Sequence, residues 1–508
     1  MKKYKKVLAF LLCVAVFCGS YLTVIAVKNS NRSEVKNDYM VSENLAKDAT
    51  LSANSGKLLT KFVTDNSKNT YWAGKRENAV LRLDFGKNVT FNTVIINEIG
   101  FNISNFSLRV STDGVNFENV YHQERIETQR LCALREAVTA RYLEFVVENS
   151  EATPKISDIS VFNEDKRTED RFDVVGYIVV NSIIDKFAEW NESGYDFTYD
   201  DIYKLFDGDK FNTYNVVNLI SGVAWKENAD LYYAFIIDKK EYTNDEKKVI
   251  FDKFIKSLRE VIGDRDIRIN ITFGNPQDDD ICAASMSGEK KNKLAVNMVQ
   301  YLEENGFNGA DIDWEYPITQ AHFDSYNAFL VELKNEMNKA NEDLEISLAT
   351  STWAYKYSPE AVEAIDKLQL MGYDILDQNG DHGGFYGSAV QAVEYCLSYG
   401  FKPEQINLGI GFYGTYQEGK MEQYGTSQII EDYDWFKNIY TCEVGDHKIP
   451  NVYFNGGQMV YDKTAYAVYK KLSGVMTWNV YSDFKGNGEN TLNYAIEKAT
   501  NDRMEKSK

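Results

Sequence analysis

Hydrophobic and polar positions fall into three rhythms along the chain. The first is a single block. Lys2, Lys3, Lys5 and Lys6 precede Val7–Val27, an almost wholly apolar stretch. At about 21 residues it approaches the ~20 needed to cross a bilayer and exceeds the roughly 7–15 of a usual secretory core. Residues 1–27 therefore read as a signal peptide or a membrane anchor through residues 7–27. Either one places the rest of the chain outside the cytoplasm, because the positive charges stay inside. Cys18 comes after the bulky Phe17, which argues against lipid attachment there. Residues 28–43 are polar, with little to bury, and read as a tether.

The second rhythm is alternation with period two. It runs through Val80–Phe85, Thr93–Asn97, Phe106–Ser111 and Arg141–Val147, with turn chemistry at Phe85-Gly-Lys-Asn88 and Thr112-Asp-Gly114. Short strands at this spacing predict an all-β sandwich or jelly roll over residues 44–163. Residues 164–171 form a charged linker. From Phe172 the third rhythm begins, with apolar runs alternating with helix-period segments. Eight strands are expected, at Asp173–Val180, Asn215–Val223, Ile267–Thr272, Gly309–Glu315, Glu345–Thr350, Lys367–Tyr373, Ile406–Phe412 and Gly474–Asn479. Helices are expected between them, at Lys247–Val261, Lys290–Glu304, Phe323–Lys339, Ser388–Tyr399 and Lys463–Lys471. Eight such units over residues 172–500 predict an α/β TIM barrel, whose active residues gather at the C-terminal ends of its strands.

Composition narrows the partners. The net charge is −20, and four of the lysines belong to the leader, so the folded part is more acidic still. Nucleic acid and anionic membrane are poor partners for such a surface; a neutral polysaccharide is compatible. The 34 Tyr suit sugar binding, although half-buried strand positions account for most of them. Four His make a zinc site improbable. Cys13 and Cys18 sit in the leader. Cys132, Cys282, Cys396 and Cys442 are scattered without a metal or redox motif, leaving at most one bridge open.

The densest chemistry lies in Gly306-Phe-Asn-Gly-Ala-Asp311-Ile-Asp313-Trp-Glu315-Tyr-Pro317. On a strand, Asp311, Asp313 and Glu315 line one face while Ile312 and Trp314 face apolar packing. Three acids on one face repel unless some hold protons, which is costly for a structural strand and useful in acid catalysis. A solvated acidic edge strand is the plain alternative. A calcium loop is another, but it wants a central glycine and a turn.

That run resembles the active-site strand D-G-x-D-x-D-x-E of glycoside hydrolase family 18, with Asn308 in place of the first Asp. The resemblance extends along the barrel through Val174-Val-Gly-Tyr177, Asn270-Ile-Thr-Phe-Gly-Asn275, Met371-Gly-Tyr-Asp374, Leu408-Gly-Ile-Gly-Phe-Tyr-Gly414 and Gly474-Val-Met-Thr-Trp478. Thr272 and Asn275 depart from the family's S-x-G-G. Residues 44–163 resemble the discoidin-like, or coagulation factor type C, family. The matching stretches are Asn44-Leu-Ala46, Thr64-Asp65, Thr70-Tyr-Trp72, Leu83-Asp-Phe-Gly86, Ser111-Thr-Asp-Gly114, Ala140-Arg-Tyr-Leu143 and Ile156-Ser-Asp-Ile159. This implies a carbohydrate-binding module and a structural calcium near the Asp65 loop. Trp72 is expected in its core.

The family 18 resemblance implies retaining, substrate-assisted hydrolysis next to N-acetylglucosamine, with no metal in the catalytic site and no cofactor for catalysis. Glu315 would be the acid and base, Asp313 the acceptor of the acetamido N–H, Asp311 its proton-sharing neighbour and Tyr373 a donor to the acetamido carbonyl. Trp478, Asp374, Met371, Tyr177 and Tyr413 would line the substrate site. Chitinase-like endo-cleavage of β-1,4 chains is favoured by Asp313-Trp-Glu-Tyr-Pro317. Endo-β-N-acetylglucosaminidase action on N-glycans is favoured by the discoidin-like module. A non-catalytic lectin and peptidoglycan cleavage are further alternatives. Only about sixty residues separate Tyr413 from Gly474, which implies an open groove. A monomer is expected.

Overall fold

The computed structural model describes residues 37–506, apart from 170, 239, 275–277, 354, 377–381, 384–385, 417–422 and 426–451. The apolar leader, Asn275, Cys442 and most of the stretch behind the open-groove expectation lie outside the described residues. Among those described, no helix is long and apolar enough to cross a membrane.

The first unit is antiparallel. Its strands are β1 (Thr50–Ala53), β2 (Trp72–Ala73), β3 (Ala79–Glu98), β4 (Ile103–Ser111), β5 (Glu118–Glu124), β6 (Gln129–Ser150) and β7 (Lys155–Phe162). The two long strands β3 and β6 pair along most of their length, with register breaks. The first part of β3 also pairs with β1 and its last part with β7, so one strand serves two faces. Leu81, Leu83, Phe91, Val94 and Ile96 alternate inward around Trp72 and Phe106. Trp72 is fully buried and its indole N–H donates to Ser55 O (3.0 Å), a core role. Asp65 spends its carboxylate on its own loop, accepting from Ser67 N (3.0 Å) and Thr70 Oγ1 (2.7 Å). Among the described residues no cluster of three acidic, His or Cys side chains could hold a metal ion.

The second unit is a closed parallel barrel of β8 (Asp173–Val179), β9 (Val216–Trp225), β10 (Arg268–Gly274), β11 (Gly309–Asp313), β12 (Glu345–Thr350), β13 (Lys367–Leu370), β14 (Ile406–Gly411) and β15 (Gly474–Trp478). Each strand pairs with the next, and β15 returns to β8. The TIM barrel and the preceding all-β unit are thus as the alternation predicts. Several strands stop short of their expected ends. The expected Gly309–Glu315 ends at Asp313, Lys367–Tyr373 ends at Leu370, and Ile406–Phe412 ends at Gly411. Glu315 and Tyr373 consequently sit in the loops after their strands. Cys132, Cys282 and Cys396 are buried, and no disulfide joins them among the described residues.

The helices α1 (Gly457–Tyr469) and α2 (Leu492–Arg503) join the two units. The expected Lys463–Lys471 helix begins six residues earlier, and all 13 residues of α1 are buried. Arg130 and Asp462, both 0% exposed, form an ion pair across the junction (3.0 Å). Tyr121 Oη, Ala133 N and Gln458 Nε2 also donate to Asp462. Ile95, Leu131, Ala133 and Phe162 from the sheet merge into the barrel's hydrophobic core. Within 164–169, Glu164 and Arg167 are buried and paired, and Arg167–Glu169 forms a strand with Met504–Lys506.

Candidate active site

Three acids climb from the barrel interior to its mouth. Register places Asp311 beside Thr272 on β10 and Ser347 on β12. Both hydroxyls donate to it, Thr272 at 2.9 Å and Ser347 at 2.5 Å, and Tyr177 Oη donates at 2.7 Å. Burial raises the Asp311 carboxyl, and these three donors oppose that rise. With three hydroxyls fixed on its oxygens, Asp311 is held in place.

Asp313 is partly buried, and its Oδ1 is buried without a hydrogen-bond partner among the described residues. Loss of solvent pushes its carboxyl well up, and the charges of Glu315 and Asp311 add to this. Its hydrogen bond runs to Glu315, so its interaction with Asp311 is through charge. Glu315 stands at the rim with an exposed side chain. Desolvation at its carboxyl raises it too, as does the charge of Asp374. The three carboxylates thus form a graded set, from a deep acid ringed by hydroxyls to an outer one open to a ligand. Ile312 and Trp314 pack on the other face, and the Trp314 indole N–H donates to Asp279 Oδ1 (2.8 Å).

The loop after β13 brings Tyr373 and Asp374 to the same mouth. Asp374 adopts a left-handed backbone (φ 54°) and accepts from Tyr413 Oη (2.7 Å). Tyr373 meets Tyr413 edge to face (6.0 Å, 75°). The Tyr373 hydroxyl lies 4.0 Å from Met476 Sδ. Burial first, then the charges of Glu315 and Asp374, push this phenol well above its ordinary value, which keeps it a donor. Met371, Tyr373 and Trp478 pack on the interior cluster of Val175, Tyr177 and Met476. Trp478 lies 5.6 Å from Tyr177 (55°) and stays partly accessible.

All nine residues singled out in the sequence therefore converge at one end of the barrel. Ser347 was not among them. Its signal is a small polar residue inside the apolar run of β12. The Tyr316–Trp353 ring pair (5.4 Å, 55°) was also missed. Trp353 is 38% exposed beside the acid strand's end.

A family model described as Glycosyl hydrolases family 18 matches residues 207–483, and one described as F5/8 type C domain matches residues 47–161. The secreted chitinase LysM12 of Penicillium expansum is 33% identical over 104 residues, 18% of this chain and 7% of its own length. Probable chitinase 2 of Drosophila melanogaster is 21% identical over 253 residues, 39% of this chain and 52% of its own. The chain spans about half the length of the second relative and far less of the first. The GH18 chitinase ChiB of Flavobacterium johnsoniae aligns with a TM-score of 0.49 at 22% identity, covering 66% of this chain and 95% of that one. The family 18 model spans more than half of the 508 residues, and this chain belongs to the glycosyl hydrolases of family 18.

Proposed function

We propose that the protein hydrolyses β-1,4 bonds next to N-acetylglucosamine in chitin-like chains, with retention and with the substrate's acetamido group as nucleophile. The observation that carries this is the buried, unpartnered Asp313 Oδ1 between two other acids. A buried acceptor without a donor costs about 1–3 kcal/mol, and an acetamido N–H supplies that donor. In this reading Asp313 orients the acetamido group and stabilises the oxazolinium cation. The acetamido carbonyl oxygen attacks the anomeric carbon as Glu315 protonates the leaving oxygen. Glu315 then takes a proton from the water that opens the ring. Tyr373 donates to the acetamido oxygen, and Trp478 offers an apolar floor to the sugar face. Met371, Asp374, Tyr177 and Tyr413 shape that floor and its walls. The relatives named chitinases and the buried Trp314 support a chitin-like substrate. The secreted Penicillium relative and the apolar leader support action outside the cytoplasm.

The F5/8 type C domain favours a second reading, release of N-glycans from glycoproteins. Mass spectrometry of products separates the two, with chitin oligosaccharides and an N-glycosylated protein offered to the purified protein and to Glu315→Gln. Short N-acetylglucosamine oligomers made only by the wild type establish the first reading. A glycan released to leave one N-acetylglucosamine on the protein establishes the second. Activity on neither substrate, or turnover of a 2-hydroxy analogue such as a cello-oligosaccharide, rejects the mechanism.

A further inference from the structure

The junction between the two units reaches the catalytic loops through one residue. Glu127 lies in the short loop between β5 and β6, is 2% exposed, and has a left-handed backbone (φ 65°), as does Arg125 two residues earlier (φ 55°). Such a conformation in a non-glycine residue costs of order 1 kcal/mol, so the surroundings hold this loop in shape. Its carboxylate crosses to the barrel. Glu127 Oε1 accepts from Tyr386 N (3.0 Å) and Oε2 accepts from Gly387 N. These two amides open the helix Tyr386–Tyr399, whose first-turn N–H groups have no acceptor of their own. The sheet domain thus caps a helix of the barrel domain. Gly387 fits this contact: a Cβ there would stand 2.5 Å from Glu127 Oε2. Arg130 reinforces it, with its guanidinium 5.0 Å over the Tyr386 ring.

Between Asp374 and that helix, Ile375–Leu376 pairs antiparallel with His382–Gly383. The cap thus holds the start of the helix that this connection enters, and Tyr373 and Asp374 stand at the connection's other end in sequence. A second connection runs to the neighbouring loop. The charge of Glu127 acts on the buried Lys463, whose Nζ donates to Asn455 Oδ1 (2.8 Å). Asn455 Nδ2 in turn donates to Gly411 O (3.0 Å), at the end of β14 and two residues before Tyr413. Tyr413 closes the circuit by donating to Asp374.

We infer that Glu127, a residue of the F5/8 type C domain, is a positioning residue for the barrel's active site, setting the loops that carry Tyr373, Asp374 and Tyr413. The sheet domain is then a working part of the catalytic unit. The activity readout rests on the functional reading above; the structural readout does not.

Two variants break the same contact from opposite sides. Glu127→Gln turns an amide N–H toward the helix amides, and Gly387→Ala displaces the carboxylate. Tyr121→Phe is the control, because it removes a hydroxyl bound to Asp462 and Arg130 in the same junction while leaving both Glu127–amide hydrogen bonds in place. A misplacement of about 1 Å costs on the order of 10²-fold in rate, so kcat/KM should fall tenfold to a hundredfold in both variants. The loss should lie mainly in kcat, and the double variant should be no worse than the poorer single one. Amide exchange should speed up across residues 371–387 in both, and not in Tyr121→Phe. Wild-type kcat/KM in both variants, or losses that merely follow a lowered Tm as in Tyr121→Phe, would overturn the proposal. Should the wild type cleave no N-acetylglucosamine substrate, the functional reading fails. Unchanged exchange at residues 371–387 would then reject the positioning role separately.

Discussion

Replacing Asp462 with Asn asks whether sheet and barrel unfold as one body. Asp462 accepts from Tyr121 Oη (2.6 Å), Arg130 Nη2 (3.0 Å), Ala133 N (3.1 Å) and Gln458 Nε2 (3.0 Å), three of these across the junction. Asparagine keeps the shape but removes the charge, leaving the Arg130 guanidinium buried without its counter-ion. Breaking a buried pair from one side costs about 3–5 kcal/mol. How far Tm falls depends on how much chain melts with it. Unfolding entropy is about 2.1 cal/mol/K per residue, so roughly 470 residues melting together give ~1 kcal/mol/K and a fall of about 3–5 °C. The sheet domain alone, about 115 residues, would give ~0.24 kcal/mol/K and a fall of about 12–20 °C. Differential scanning calorimetry distinguishes the two. One endotherm moving by a few degrees is expected. A separate small endotherm that drops by more than ten degrees while the main one stays would refute the single-body reasoning.

The site supports two further expected outcomes. In Asp311→Asn the basic limb of the kcat/KM profile should move to lower pH. The charge of Asp311 helps raise Asp313, which is hydrogen-bonded to Glu315. On the proposed mechanism Glu315 acts protonated, so activity is lost as pH rises through its folded value, and relieving repulsion brings that loss earlier; an unmoved or upward-shifted limb would show that Asp311 carries no charge there. Trp353→Ala should raise KM for long oligosaccharides about fivefold to tenfold, as expected for a lost aromatic contact of about 1 kcal/mol, with no change for substrates too short to reach the Tyr316–Trp353 pair. Steady-state kinetics on a ladder of chain lengths reads this directly.

The barrel was legible because each strand is a short buried run bounded by polar loops, and β10 to β14 carry few residues that could read as anything else. The acid face was legible for a simpler reason: period two is written into the positions of Asp311, Asp313 and Glu315. Strand ends were less so. Asp374 takes a left-handed backbone next to Tyr373, and a composition of apolar and aromatic residues gives no sign of where pairing stops. The first turns of α1 were illegible on physical grounds. A helix buried on every side has no polar face, so periodicity vanishes. Its Gln458, Asp462 and Lys463 look like surface residues until partners such as Arg130 and Ala133, more than 300 residues away in sequence, are placed against them.

Those same partners bear on the contribution of the sheet domain. A module on a loose tether helps an enzyme by raising the local concentration of substrate, and its orientation does not matter. Here Glu164 and Arg167 are buried and paired, Arg167–Glu169 pairs with Met504–Lys506, and donors from Tyr121, Arg130 and Ala133 converge on one carboxylate. An apolar junction would hold at least as firmly, since burying an ion pair gains little over hydrophobic contact. What the ion pair adds is a penalty on every other arrangement, because any slip of the sheet leaves Asp462 or Arg130 buried and unpaired. The junction therefore fixes orientation more than it adds adhesion. A fixed orientation is of use only if something on the sheet domain must sit in a set place relative to the cleft, and the Glu127 cap is a residue that does.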